Sequence, residues 1–158
     1  MTIQNFNIYT AKGYAGELVD SGPRVVQTGI LTDATLDFGV AVKRDTSVKK
    51  GVAKGSGDGK IFAISQREYN HEAATRPSDG STSYLETESV SLIRQGYLYI
   101  KLDGSQSITA GEVLHVNTST GVFSKDSVAG NIVATENVVA DEDGLAGEII
   151  KVRLDIVS

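Results

Sequence analysis

Residues 86–116 read ETESVSLIRQGYLYIKLDGSQSITAGEVLHV, and this stretch decides the fold. Over residues 90–102 its aliphatic side chains mostly fall on even positions, while polar and tyrosine side chains fall between them. The even set is Val90, Leu92, Leu98, Ile100 and Leu102, and the odd set is Ser91, Tyr97, Tyr99 and Lys101. A period of two places the two sets on opposite faces of a β-strand. The pattern therefore predicts a strand with one buried and one exposed face.

Turn sequences follow this strand at Asp103-Gly104 and at residues 109–112. Gly adopts positive φ without a Cβ clash, and Asp tolerates it through local hydrogen bonding. Residues 113–116 are extended again, so the whole stretch is interpreted as a pair of strands.

Further short strands are predicted on both sides of this pair. They cover residues 24–31, 36–42, 60–64, 121–124, 131–135 and 150–154. The polar segments 44–59 and 65–89 are interpreted as loops, with one helical turn at Glu72-Ala73-Ala74 before Pro77. About eight or nine strands spaced by roughly ten residues, without an amphipathic helix, predict an all-β fold, either a small β-barrel or a β-sandwich.

The predicted organisation is an extended N-terminal arm at residues 1–20 and a single β domain at residues 21–158. The arm carries large apolar side chains without a helical or strand period: Ile3, Phe6, Ile8, Tyr9 and Tyr14. Aromatic residues are depleted in disordered segments, so the arm is expected to lie on a surface, either its own domain or another subunit. Tyr97 and Tyr99 are candidate subunit contacts because tyrosine is enriched at interfaces.

Composition excludes several functional classes. The chain has no Cys, so disulfides and thiolate chemistry are impossible. A net charge of −5 argues against nucleic acid as a partner. No apolar run reaches the length of a spanning helix and no signal peptide is evident, so we expect no membrane partner and synthesis in a cytoplasm. A basic cluster is interpreted as a solvated face, or as a contact for an acidic protein surface: Lys43, Arg44, Lys49, Lys50, Lys54 and Lys60.

No motif supports catalysis, a cofactor or a metal. The segment GSGDGK at residues 55–60 lacks the spacing and the Ser or Thr of a phosphate-binding loop and is predicted to be a hairpin tip. His71 and His115 are too few for a zinc site. Residues 141–144 (DEDG) lack the late Glu of an EF-hand loop and are predicted to form a turn. No Gly-x-Ser-x-Gly nucleophile elbow occurs, so the chain is not expected to be an enzyme.

The order of several motifs resembles the structural cement proteins of tailed bacteriophages, a family of capsid decoration proteins. The motifs are GELVDSGP (16–23), LDFGVAV (36–42), SVSLIRQGYLYI (89–100), TAGEVLHV (109–116), TGVF (120–123), GLA (144–146) and VRL (152–154).

The resemblance implies a protein on the capsid exterior of the virion, made in the host cytoplasm. It implies binding to the major capsid protein of the icosahedral head, bracing of neighbouring capsid subunits, and self-association as a homotrimer. It implies no catalytic residues. The alternative hypothesis is a glycan-binding β module of a tail or host-attachment structure, with Tyr84, Tyr97 and Tyr99 as a stacking platform.

Overall fold

The structure is a computed structural model and describes residues 13–19, 22–57, 60–68, 83–103, 106–125 and 131–156. Within these ranges the chain forms eleven β-strands and no helix. The strands are β1 (Val25–Leu31), β2 (Thr35–Asp37), β3 (Ala41–Asp45), β4 (Gly51–Lys54), β5 (Ala63–Ser65), β6 (Ser83–Leu85), β7 (Ser89–Asp103), β8 (Val113–Asn117), β9 (Phe123–Ser124), β10 (Ile132–Ala140) and β11 (Ile149–Asp155). The predicted all-β fold is confirmed.

Strand β7 is shared by two closed circuits of hydrogen-bonded strands. The first circuit runs β1–β4–β3–β5–β7 and closes where β7 pairs with β1. The second runs β7–β11–β10–β8–β9 and closes where β9 pairs with β7. Closure pairs most of the sheet edges that would otherwise invite association. The core is thus a pair of small β-barrels fused along one strand.

The barrels contain two hydrophobic cores, of which the larger also takes in Ala41 and Ile64 from strands of the first barrel. The first core, which also receives the small β2–β6 sheet, contains Leu31, Leu36, Phe38, Val42, Val52, Ala63, Tyr84, Val90 and Leu92. The second is larger and contains, among others, Leu98, Ile100 and Leu102 of β7 together with Phe123, Ile150 and Val152. The even-numbered aliphatic residues of β7 are buried, as the alternation predicted, but they are divided between two cores, with Val90 and Leu92 in the first. Ile93 is also buried, because β7 passes from one core to the other beside a register shift in its pairing with β1.

The interpretation of residues 86–116 as one strand pair was wrong in its pairing. Both β7 and β8 exist, but β8 pairs with β10 and β9 rather than with β7. β9 follows β8 across a short turn and pairs parallel to β7, which closes the second barrel. The predicted hairpin between residues 113–116 and 121–124 is confirmed.

The prediction of one strand at residues 36–42 was also wrong. The chain turns at residues 38–40, so that β2 pairs with β6 while β3 pairs with β4 and β5. Gly39 makes the turn possible with a φ of +74°, a conformation that costs glycine little.

Two predicted loops contain strands. The segment 44–59 includes β4, which pairs with β3 in a hairpin whose outward side chains are largely Lys and Arg, so its polarity concealed it. The segment 65–89 includes β6, and the predicted helical turn at residues 72–74 lies outside the described residues. The strand predicted at 60–64 is β5, displaced toward the C-terminus at Ala63–Ser65.

A second contact joins the barrels near the β8–β9 turn. The Ala41 nitrogen donates to the Gly121 carbonyl at 2.8 Å, and the Gly55 nitrogen donates to the Ala41 carbonyl at 2.9 Å. The Ser56 nitrogen donates to the Thr118 carbonyl at 3.1 Å. The end of the β3–β4 hairpin is thereby fixed against the second barrel.

Candidate functional site

The described end of the N-terminal arm lies along β7 of its own chain. Three backbone hydrogen bonds hold it: the Gly16 nitrogen donates to the Tyr99 carbonyl at 2.8 Å, the Tyr99 nitrogen to the Glu17 carbonyl at 3.0 Å, and the Val19 nitrogen to the Tyr97 carbonyl at 2.9 Å. This edge of β7 is taken by β1 up to Gln95 and by β9 from Leu102. Residues 16–19 fill the interval, so the arm acts as a short added strand.

A close approach of two glycines fixes the arm further. Gly16, with a φ of +81°, lies against Gly39, and a Cβ built on Gly39 would lie 2.7 Å from the Gly16 nitrogen. The Arg67 nitrogen donates to the Gly16 carbonyl at 2.8 Å. Neither position has room for a side chain, so both Gly16 of the GELV motif and Gly39 of the LDFG motif are required for this contact.

Tyr14 is the exposed aromatic residue at the start of the described arm. Its side chain is 57% exposed, and the guanidinium carbon of Arg67 lies 4.5 Å from its ring centroid. The same guanidinium carbon lies 5.5 Å from the ring centroid of Phe38. The Tyr14 nitrogen donates to a carboxylate oxygen of Glu17 at 2.9 Å. The ring is therefore held at the surface by a cation–π contact.

Tyr99 and Tyr97 lie two residues apart on the outward face of β7, on the part of the strand that pairs with residues 16–19. Both are half-buried. A Cβ on Gly13 would come within 2.3 Å of the Tyr99 ring, so that ring packs directly on the arm backbone. Of the predicted contact residues, Tyr97 and Tyr99 thus lie on the strand that holds the arm, and Tyr14 lies at the start of the described arm. The others, Ile3, Phe6, Ile8 and Tyr9, lie outside the described residues.

Tyr84 does not belong to this surface, and its assignment to a glycan platform was wrong. Its side chain is fully buried in the first core, where its ring meets that of Phe38 edge to face at 5.1 Å. Its hydroxyl donates to the Gln66 carbonyl at 2.6 Å. Burial raises the pKa of the Tyr84 hydroxyl. β6 has only three residues, which is too short for an alternating pattern to indicate that Tyr84 is buried.

The acidic segment 141–144 is engaged within the protein. Asp141 forms an ion pair with Lys151 at 2.8 Å, which raises the pKa of that lysine. A Glu142 carboxylate oxygen accepts from the backbone nitrogen of Lys151 at 2.9 Å. A carboxylate oxygen of Asp143 accepts from the backbone nitrogen of Ala110 at 2.8 Å. These carboxylates stabilise the connection between β10 and β11, where a turn was predicted. Across the described ranges, no group of three or more potential metal ligands comes together.

The other predicted sites are separate. Gly57 and Lys60 form an antiparallel bridge, so the GSGDGK segment is a hairpin tip. His115 is half-buried on β8, and His71 lies outside the described residues. The basic cluster is divided, because Lys43 and Arg44 are neighbours in β3 and so direct their side chains to opposite faces.

An exposed segment of β1 was missed by the sequence reasoning. Residues 25–28 are exposed on both faces, although the strand itself was predicted correctly. The available signal was the sequence RVVQTGIL, which lacks the alternation of a half-buried strand. A groove of about 440 Å³ runs beside this segment.

None of the described residues belongs to a helix with the length and apolarity needed to cross a membrane.

Comparisons with known proteins place this architecture. A structure titled as the capsid of Myoviridae phage XM1 has the same fold, with a TM-score of 0.73 and 17% identity over 98% of both chains. The head fibre gp8.5 N base of bacteriophage phi29 aligns with a TM-score of 0.46 and 6% identity over 84% of this chain and 95% of that one, which is too weak to carry an argument. No curated protein sequence matches.

The family model described as structural cement protein (E217 gp24/Pam3 gp6) matches residues 2–155. That match covers nearly all of the motifs and strands described above, including the arm and both barrels. The chain therefore belongs to the bacteriophage structural cement protein family.

Proposed function

We propose that this protein binds the outer surface of an icosahedral phage head and stabilises it by bridging neighbouring major capsid subunits. The match of a structural cement family over residues 2–155 is the observation that carries this proposal. A closed double-barrel body suits the role, because it presents a rigid surface without a reaction centre among the described residues. Many modest contacts repeated over a symmetric shell hold by avidity, so no single contact has to be strong.

The arm supplies the bridge in this proposal, and residues 21–158 act as the anchoring domain. Residues 16–19 are fastened to β7 by backbone hydrogen bonds, and Gly16 is fixed against Gly39. Residues 1–12 therefore leave from a fixed point. We assign Ile3, Phe6, Ile8 and Tyr9 to contacts with an adjacent chain, and Tyr14, Tyr97 and Tyr99 to the same interface. The functional unit on the shell is proposed to be a homotrimer.

Deletion of residues 2–12 tests the arm directly. It leaves residues 13–19 on β7, so the body should keep its strand circular dichroism and its melting temperature. Mixed with undecorated heads and imaged, the shortened protein should show strongly reduced occupancy, whereas the full chain should decorate them. Full occupancy by the shortened protein would remove the arm from the mechanism.

A longer deletion, of residues 2–19, is the matched control. It also removes the added strand from β7 and should lower the melting temperature of the free protein, separating a folding defect from a binding defect. Failure of the full chain to bind heads would refute the proposed function itself. The solution mass of the full chain checks the trimer.

A further inference from the structure

The first half of β1 has an open edge. Residues 25–28 are all exposed, with Val25 42% and Val26 43% exposed. β7 pairs with one edge of this segment, but β4 pairs with the other edge only at Ile30 and Leu31. In the part of the chain that the structure describes, no strand lies beside the second edge of residues 25–28.

Backbone groups face this open edge. The Ile30 nitrogen donates to the Lys50 carbonyl at 3.0 Å, toward β4, whereas the Leu31 nitrogen donates to the Glu88 carbonyl at 3.0 Å, on the β7 side. Successive residues of a strand direct their N–H and C=O groups to alternate edges. Thr28 and Val26 therefore point the same way as Ile30, into the groove. They form a row of donors and acceptors that a further strand can continue.

The groove beside this edge is cationic. Opposite Val26, Gln27 and Thr28, its described lining is Arg44, Lys50, Gly51, Val52 and Phe62, of which two are cations and none is a carboxylate. The guanidinium carbon of Arg44 lies 4.6 Å from the Phe62 ring centroid, and that of Arg94 lies 4.7 Å from it. The stacking orders these cations. The whole chain carries a net charge of −5, so the positive charge of this groove is opposite in sign to the net charge of the protein.

We propose that the open edge of β1 accepts one extended, acidic segment of the capsid shell as an added strand. This inference rests on the proposed function and names a contact for it. Main-chain hydrogen bonds to Val26 and Thr28 supply binding, and Arg44 and Lys50 select carboxylate-bearing segments. The arm of a second copy does not fit this chemistry, because the one charged side chain in residues 1–12 is Lys12.

Thr28→Pro tests the backbone contact. Proline removes the N–H that faces the groove and leaves the hydrogen bonds to β7, and an edge strand tolerates it at such a position. We expect the melting temperature of the free protein to change little and the affinity for undecorated heads to fall at least about fivefold, as loss of one hydrogen bond implies.

Charge reversal tests the groove without altering the backbone. Arg44→Glu combined with Lys50→Glu should weaken binding to undecorated heads more than about tenfold at low salt, and less as salt screens the contact. Lys49→Glu is the matched control for the single variant Lys50→Glu, since it makes the same charge change one residue outside the groove. It should bind within about twofold of the unaltered chain.

A cross-link identifies the occupant. The chain has no cysteine, so Val26→Cys can carry a single photoreactive group, with Leu145→Cys, 63% exposed on the other barrel, as the control site. On decorated heads the Val26 site should capture an acidic segment of a capsid subunit. Capture of another copy of this protein, or head binding unchanged in both groove variants, would overturn the inference and leave the proposed function standing. Absence of binding by the unaltered chain would overturn both.

Discussion

The two barrels differ in how completely they are closed. β11 pairs with β7 over seven consecutive residue pairs in the second barrel, whereas β1 and β4 share only two pairs in the first. The first barrel leaves an open edge at residues 25–28 and a cationic groove, whereas the interval on β7 between β1 and β9 is filled by residues 16–19. The comparison teaches that two barrels can share one strand, β7, while the first of them leaves free backbone hydrogen-bonding groups, those of β1, at its surface.

Truncation in the larger core should have the largest effect and tests whether the barrels are one cooperative unit. Ile100→Ala should lower the free energy of unfolding by about 2–5 kcal/mol, since Ile100 is fully buried in the second core. Leu92→Ala makes the corresponding change in the first core. Because β7 runs through both, urea unfolding followed by circular dichroism should show one transition for each variant. Two separate transitions would mean that the barrels unfold independently.

The joint between the barrels should be sensitive to a single methyl group. Gly121 has a φ of +74°, and a Cβ on it would lie 2.2 Å from the Ala41 carbonyl oxygen. Gly121→Ala should therefore cost about 2–4 kcal/mol from clash and backbone strain together. Gly147→Ala is the control, with a φ of +78° and nothing within 4 Å of its Cβ, and should cost only about 1 kcal/mol. Equal losses in melting experiments would show that the joint is not strained.

The smallest expected effect is on the pKa of Asp45, in the β3–β4 hairpin that borders the groove. The Thr32 hydroxyl donates to Asp45 at 2.6 Å and the Ser47 nitrogen donates to it at 2.9 Å, which lowers the pKa of that carboxyl to about 2. A lowered pKa in the folded state adds stability above the ordinary value of 3.8 that is lost as pH falls toward about 2. Thr32→Val should move the Asp45 pKa upward in a carboxyl-carbon NMR titration. An unchanged titration would assign the lowered pKa to Ser47 and Lys43 instead of Thr32.

The sequence predicted those parts of the fold in which pattern and environment agree. β7, β8 and β11 alternate because one face of each is buried, and the hairpin into β9 has a turn sequence between its strands. The failures have other causes. The polar run that begins at Arg44 made a hairpin look like a loop, and the apolar run at residues 36–42 made the corner at Gly39 look like one strand. The pairing of β7 depends on distant residues and leaves no mark in its own sequence.

The candidate site was predictable only in part. Tyr97 and Tyr99 followed from the period of β7, and Tyr14 from its place in an aromatic arm. Arg44 and Lys50 of the cationic groove were named in the basic cluster, but their position beside Phe62 and β1 could not be predicted, because these residues meet only after the barrel closes. Tyr84 shows the opposite case, since an isolated tyrosine in a polar segment gave no reason to expect a fully buried side chain.

The attachment of residues 16–19 to β7 also sets a mechanical property. The segment runs antiparallel to β7, so tension applied at its N-terminal end along the strand axis strains the bonds at Gly16, Glu17 and Val19 simultaneously rather than one after another. The Gly16–Gly39 contact lies closer to the point of pull than the hydrogen bonds of Glu17 and Val19 do. In the proposed bridging role, a pull on the arm from a neighbouring capsid subunit would therefore load this attachment in shear.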